Sequence, residues 1–149
     1  MSPLPDPVIR IHGITGARSA CRVMGDRAFG LLSAEHAAQT HGAQWFADLV
    51  KLVREEFPAC DFTAILDCRG RVSGALAAIE LGMDAVIVEP TSDNRIEKLA
   101  DIARQANCSV ITDLPATDTI YQMADDLLPD HELDRRLRAH IDGLRSQMP

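Results

Sequence analysis

Two features of the sequence predict an α/β fold built on a parallel sheet. From residue 8 to residue 128, short apolar runs alternate with longer segments in which apolar residues recur at helical spacing, which is the pattern of consecutive βα units. Three of the runs, residues 62–67, 85–89 and 109–112, are apolar almost throughout, as is typical of parallel strands covered on both faces. We therefore expect one (βα)5 domain over residues 8–128.

The first half of this domain predicts two strands, each followed by a helix. Residues 8–12, "VIRIH", form the first strand, and the helix after it is closed by Gly25. Residues 28–34 form the second strand. The longest amphipathic pattern then covers residues 45–57 and is ended by Pro58.

The second half continues the alternation and completes the predicted sheet. Residues 62–67 form the third strand, and the next helix ends at Gly82, where a C′ glycine is expected. Residues 84–89, 94–107 and 108–113 predict a strand, a helix and the fifth strand. Five parallel strands with right-handed crossovers predict a flavodoxin-like, doubly wound three-layer sandwich, with strand order 2-1-3-4-5. A closed eight-stranded barrel would need about 250 residues.

The two ends of the chain lie outside this pattern. Residues 1–7 predict a loose Pro-rich leader, and residues 120–128, "IYQMADDLL", predict a helical segment that Pro129 interrupts. Residues 129–149 predict an additional C-terminal helix with a narrow apolar seam. The seam consists of Leu133, Leu137, Ile141 and Leu144. It either packs on the domain or mediates dimerisation, and both interpretations stay open.

Composition excludes several functional classes. The net charge of −7 repels polyanions, so we expect neither nucleic acid nor anionic membrane as a partner. No apolar run approaches the roughly 18 residues of a membrane span, and the start of the chain lacks the pattern of a secretory signal. The four cysteines are scattered without metal-finger spacing, which indicates reduced thiols in a cytoplasmic protein.

Polar residues follow every predicted strand, at the edge where open parallel sheets bind ligands. Asp67 and Glu89 end two apolar strands, and we predict them as the acid and base of any catalysis. The residues that we expect to bind a ligand beside them are His12, Glu35, His36, Arg69, Thr91 and Asp113. Arg69 is the natural partner of a phosphate or carboxylate. Any one of these residues could equally cap a helix or be solvated.

Metal binding and thiol chemistry are weaker hypotheses. Asp67, Glu89, Asp113 and His12 offer oxygen and imidazole ligands for a divalent metal, but no metal-binding spacing supports a cofactor. Cys68 could act as a nucleophile. Because the adjacent Asp67 disfavours a thiolate, a small buried residue is the favoured interpretation of Cys68.

Two functional hypotheses follow. The first is a pocket for a small anionic metabolite, bearing phosphate or carboxylate, at the carboxyl ends of the strands, with lyase or hydrolase chemistry left open. The second is a non-catalytic regulatory or interaction domain that forms a homodimer through its C-terminal helix.

Three partial resemblances accompany these hypotheses. Asp67, at the end of the third strand, is placed like the phosphoacceptor of response-regulator receivers. That family's acidic pair and lysine are replaced by His12-Gly13 and Thr112-Asp113. "LLSAEHAAQTHGAQWFADLVKLVREEFP" and "FTAILDCRG" resemble an uncharacterised family of small bacterial α/β proteins, which implies no activity.

The stretch "GALAAIELGMDAVIVEP" resembles one repeating unit of phosphate-binding aldolase-type barrels. That resemblance would allow only a metal-dependent reaction. Schiff-base chemistry is disfavoured because Lys51 and Lys98 both map to helices away from strand ends.

Overall fold

The computed structural model describes residues 4–91, 94–113 and 119–146, and within these ranges strands and helices alternate. The strands are β1 (Val8–Arg10), β2 (Phe29–Leu32), β3 (Phe62–Asp67), β4 (Ala85–Ile87), β5 (Ser109–Ile111) and β6 (Ile120–Gln122). The helices are α1 (Ile14–Met24), α2 (Ala37–Thr40), α3 (Ala43–Glu56), α4 (Val72–Glu80), α5 (Arg95–Gln105) and α6 (Asp130–Ser146). No helix in these ranges is both long and apolar enough to cross a membrane.

All six strands form one parallel sheet in the order β5-β4-β3-β2-β1-β6. The predicted α/β class and parallel sheet are confirmed. The predicted count of five strands and the flavodoxin-like order 2-1-3-4-5 are wrong. From β1 to β5 the chain advances one strand at a time in the same direction, whereas a doubly wound sheet reverses direction once.

This stepwise order places the helices on one face of the sheet. Right-handed crossovers that all move in one direction bring every helix to the same side, as in βα-barrels. Consistent with this, side chains from α1, α3, α4, α5 and α6 share one core with Ile9, Leu31, Leu66 and Val86 of the strands. The helices therefore form a single layer over what we call the outer face of the sheet.

The inner face of the sheet carries a second apolar cluster, which contains residues from all six strands. Its buried members are Val8, Leu32, Ile65, Ala85, Ile87, Ile111 and Ile120, with Leu4 packed against them. Each buried member is at most 6% exposed although no helix of the outer layer covers this face. The cluster reaches both edge strands, through Ile111 of β5 and Ile120 of β6. Burial on both faces of the sheet explains why the strands are apolar almost throughout.

The sixth strand comes from the segment predicted to be helical. Ile120 and Tyr121 pair in parallel register with Val8 and Ile9. Ile120 points into the inner cluster and Tyr121 packs beside His140 of α6, so alternation, not helical spacing, describes the segment. Tertiary pairing with the free edge of β1 overrides the local propensity.

The C-terminal helix packs on its own domain, chiefly against α1. Leu133, Leu137 and Ile141 of the predicted seam are buried, and Leu144 is 39% exposed. Asp134 of α6 accepts hydrogen bonds from Ser19 Oγ at 2.5 Å and from Arg22 Nε at 2.9 Å. Most of the apolar seam on which the dimer prediction rested is thus covered within the chain.

Candidate functional site

The carboxyl ends of the six strands meet at one edge of the sheet, because every pair of neighbours is parallel. Across this edge, from β5 to β1, the predicted site residues occur in the order Asp113, Glu89, Asp67, Glu35 with His36, and His12. Thr91 follows Glu89. The loops after β4 and β5 continue into residues 92–93 and 114–118, outside the described ranges.

Asp67 is the centre of a buried ionic cluster at this edge. Its side chain has no exposed surface and accepts hydrogen bonds from Arg69 Nε at 3.0 Å, Arg69 Nη2 at 2.7 Å and the Arg69 backbone N–H at 3.1 Å. Burial works to raise the pKa of Asp67, but the hydrogen bonds and charge of Arg69, with a contribution from Arg10, outweigh it and lower the pKa. Asp67 is therefore an ionised, fully engaged carboxylate.

Arg10 lies beneath this pair, on the inner face of β1. Its side chain is 2% exposed, and Nη1 donates to the Ser33 carbonyl at 3.1 Å and lies 3.5 Å from Asp67 Oδ2. Nε has no hydrogen-bond acceptor among the described residues. Burial lowers the pKa of Arg10, against the opposing effect of the Asp67 and Glu35 carboxylates. Two guanidinium groups thus share one buried carboxylate.

Ser33 connects the second strand to this cluster. Its hydroxyl accepts the backbone N–H of Asp67 at 2.9 Å, while its carbonyl accepts Arg10. Ser33 is itself only 1% exposed. Because one residue binds both the backbone of β3 and the side chain of β1, the relative positions of Arg10 and Asp67 are set by three adjacent strands.

The loop after β3 brings Glu89 and His36 close to Arg69. Gly70 has φ of +84°, and its N–H donates to Glu89 Oε1 at 2.6 Å. His36 Nδ1 lies 3.0 Å from the Arg69 carbonyl oxygen. A Cβ atom at Gly70 would lie 2.5 Å from Gln39 Oε1, which a flexible side chain can move, so the positive φ is the main reason for glycine there. Glu89 and His36 are exposed, so these two side chains remain accessible to solvent.

His12 belongs to a different group at the same edge. The buried Asp125 carboxylate accepts the backbone N–H groups of His12 and Gly13 at 2.9 and 3.0 Å, and its Oδ1 lies 2.8 Å from His12 Nδ1. Asp125 thereby satisfies the N–H groups just before α1. These contacts occupy its oxygens and give the residue a structural role.

The ligand set proposed for a metal is not assembled. Among the described residues, the cluster whose ligating atoms lie within 4.8 Å of one another is His12, Asp125 and Asp126. In that part of the chain no hydrogen bond or ion pair joins Asp113 to Asp67 or Glu89, and Asp113 is exposed. A metal site built on Asp67, Glu89, Asp113 and His12 therefore has no geometric support.

The surroundings of Cys68 do not favour a role as a nucleophile. Its side chain is buried, its Sγ lies 3.7 Å from the Leu66 carbonyl, and burial, with the neighbouring Asp67, raises its pKa to about 12. A thiol with that pKa is almost entirely protonated near neutral pH. These properties support the interpretation of Cys68 as a small buried residue.

Two residues of the edge escaped the sequence analysis: Arg10 and Asp125. Arg10 left a readable signal, because an arginine within the apolar run "VIRIH" must find a buried counter-ion if the strand is covered on both faces. Asp125 left none, since its segment was predicted to be helical. No protein-family model matches this chain, and no curated protein matches it either.

Proposed function

We propose that the protein binds a small carboxylate-bearing metabolite at the carboxyl edge of the sheet, with Arg69 contacting the ligand and Arg10 supplying buried positive charge beneath it. The observation that carries this proposal is the sharing of the single Asp67 carboxylate by two guanidinium groups. Because one buried carboxylate does not use all the N–H donors of two guanidinium groups, the pair can bind a further anion inside the rim formed by Glu35 and Glu89.

The orientation of Arg69 supports direct contact. Its Nε and Nη2 face Asp67, which leaves Nη1 directed away from that carboxylate, and its side chain is 24% exposed. The pKa of Arg69 is raised, first through its hydrogen bonds with Asp67, so the side chain is a permanent cation. Arginine held in this way presents fixed N–H donors to an incoming carboxylate.

The outer acids favour a carboxylate over a phosphate. Glu35 and Glu89 both interact electrostatically with Arg69, and both are exposed at the rim. A phosphate dianion would meet about twice the repulsion from these side chains that a monoanionic carboxylate meets. Solvent weakens this repulsion but does not reverse it.

The same geometry divides the roles of the two acids that were predicted to be catalytic. Asp67 positions Arg69, because its oxygens are engaged and solvent does not reach it. Glu89 and His36 are the accessible titratable side chains attached to the Arg69 loop. If lyase or hydrolase chemistry accompanies binding, these two side chains are the ones placed to exchange a proton with the ligand.

Self-association through the C-terminal helix is the weaker proposal. Leu133, Leu137 and Ile141 are buried against the chain itself, so a dimer would have to use other surfaces. The packing of α6 on α1 supports the interpretation in which this helix completes the domain.

Thermal unfolding with added anions tests the binding proposal. Acetate, lactate, glycolate and pyruvate, all monoanions, at matched ionic strength should include a ligand that raises Tm by about 5 °C or more at a hundredfold excess over Kd, while inorganic phosphate has less effect. Arg69→Gln should abolish the shift, because it removes the exposed guanidinium.

Arg71→Gln is the matched control, two residues further along the same loop. Its guanidinium is exposed and Nε lies 3.4 Å from Ser73 Oγ, away from the cluster. This variant should keep the full shift. Equal loss in both variants, or no shift of the wild type with any carboxylate, would overturn the proposal.

A further inference from the structure

Two cysteines that are far apart in sequence lie side by side near the start of β3, at the end of that strand opposite to the candidate site. Cys21 lies on α1 and Cys60 lies in the turn that leads into β3. Both are free thiols, and their Sγ atoms are 3.0 Å apart, with Cys60 donating to Cys21. A disulfide has an S–S length of about 2.05 Å, so the two sulfurs need to approach by only about 1 Å.

We propose that Cys21 and Cys60 form a redox-sensitive dithiol that closes to a disulfide by exchange with a low-molecular-weight disulfide. This inference is independent of the proposed ligand site, because it involves a different end of the molecule. In a reducing compartment, such as the predicted cytoplasm, the pair stays a dithiol, and it closes when small-molecule disulfides accumulate.

The surroundings assign different roles to the two thiols. A cleft of about 270 Å³ opens over the pair and is lined by Gly25, Phe57 and Pro58 in addition to the cysteines. Cys60 is partly exposed, whereas Cys21 is 2% exposed. An incoming disulfide therefore reaches Cys60 first, and Cys21 reacts afterwards with the mixed disulfide on Cys60.

The reaction balances in two steps. The Cys60 thiolate attacks one sulfur of the small disulfide, forms a mixed disulfide and releases one small thiolate. Cys21 then loses its proton to solvent and attacks Cys60 Sγ, which forms the protein disulfide and releases the second small thiolate. Two electrons pass from the protein dithiol to the small disulfide, which leaves as two thiols.

Burial of the two thiols makes this exchange slow near neutral pH. Burial raises the pKa of both thiols, and Glu56 near Cys21 and Asp61 near Cys60 act in the same direction. The hydrogen bond with Cys21 and the charge of Arg54 lower the pKa of Cys60, and Arg22 lowers that of Cys21, but they offset burial only in part. Because the thiolate is the reacting form, the pair reacts slowly with low concentrations of disulfide.

Closure would link α1 to the connection between α3 and β3. The two cysteines are 39 residues apart in sequence. Restricting a loop of that length in the unfolded chain should raise Tm by roughly 5–10 °C, provided that the native geometry is not strained.

The test is incubation of the full chain with oxidised glutathione, followed by alkylation in denaturant, intact mass measurement and peptide mapping. The wild type, which has four cysteines, should lose two alkylation sites and show Cys21 linked to Cys60. Dithiothreitol should restore all four sites and reverse the gain in Tm.

Variants separate the two roles. Cys21→Ser should retain one glutathione on Cys60, Cys60→Ser should gain neither a glutathione nor thermal stability, and Cys108→Ala should behave like the wild type. Four reactive thiols in the wild type, in a buffer where free dithiothreitol is oxidised, would overturn the proposal, as would a linkage through Cys68 or Cys108. Should a variant not fold, mapping of the wild type decides alone.

Discussion

Two of the Arg–Asp clusters among the described residues, the one at Asp134 and the one at Asp67, differ in their charge balance. Asp134, between α6 and α1, pairs with the single guanidinium of Arg22, and both side chains are partly exposed. Asp67 pairs with Arg69 and Arg10 and has no exposed surface. The first cluster is neutral and joins two helices. The second sets two guanidinium groups on one buried carboxylate, with Glu35 and Glu89 exposed at its rim. It lies at the carboxyl edge of the sheet, and this difference separates a structural ion pair from a candidate site.

The largest expected effect comes from removing the shared carboxylate. Asp67→Asn leaves the buried Arg10 without a counter-charge and should lower the free energy of unfolding by about 3–5 kcal/mol. Asp134→Asn, the matched change in the other cluster, should cost about 1–2 kcal/mol because Arg22 can turn toward solvent. Urea unfolding of both variants measures the difference. Equal losses would show that the two clusters are energetically alike.

Low pH should reduce the difference in the free energy of unfolding between the wild type and Asp67→Asn. The pKa of Asp67 is lower in the folded chain than its unfolded value of about 3.9, so its contribution to stability is present above that pH and is lost as the pH falls through the folded pKa. The stability difference between the wild type and Asp67→Asn should therefore stay constant above about pH 5 and shrink below about pH 4. Urea unfolding across this range measures it, and a difference that grows in acid would contradict the assignment.

Much of the fold was predictable because strand and helix periods are local properties. Residues 62–67 were predicted as a strand with the observed bounds, and the helix closed by Gly25 is α1. Strand order is not local. An apolar inner face looks the same in sequence with or without a second helix layer over it, so the pattern could not distinguish double from single winding. The strand at Ile120–Gln122 depends wholly on pairing with β1.

The candidate site was predictable in its location but not in its contacts. The strand-end rule brings Asp67 and Glu89 to one edge, and the structure joins both to the Arg69 loop. Which acid is buried could not be read from the sequence, because both end apolar runs. Asp67 is the inner-face residue opposite Ile87, and Glu89 lies beyond the last paired residue of β4.

The contribution of Arg10 to ligand binding is tested most directly by replacing it with an uncharged side chain of similar length. Arg10→Met leaves Asp67 paired with Arg69, so the variant should fold, and Arg22→Met makes the same change in the neutral cluster. Ligand-induced change in Tm with the most effective carboxylate is the measurement. We expect Arg10→Met to lose most of the shift and Arg22→Met to retain it. A full shift in Arg10→Met would contradict the claim that its charge attracts the ligand.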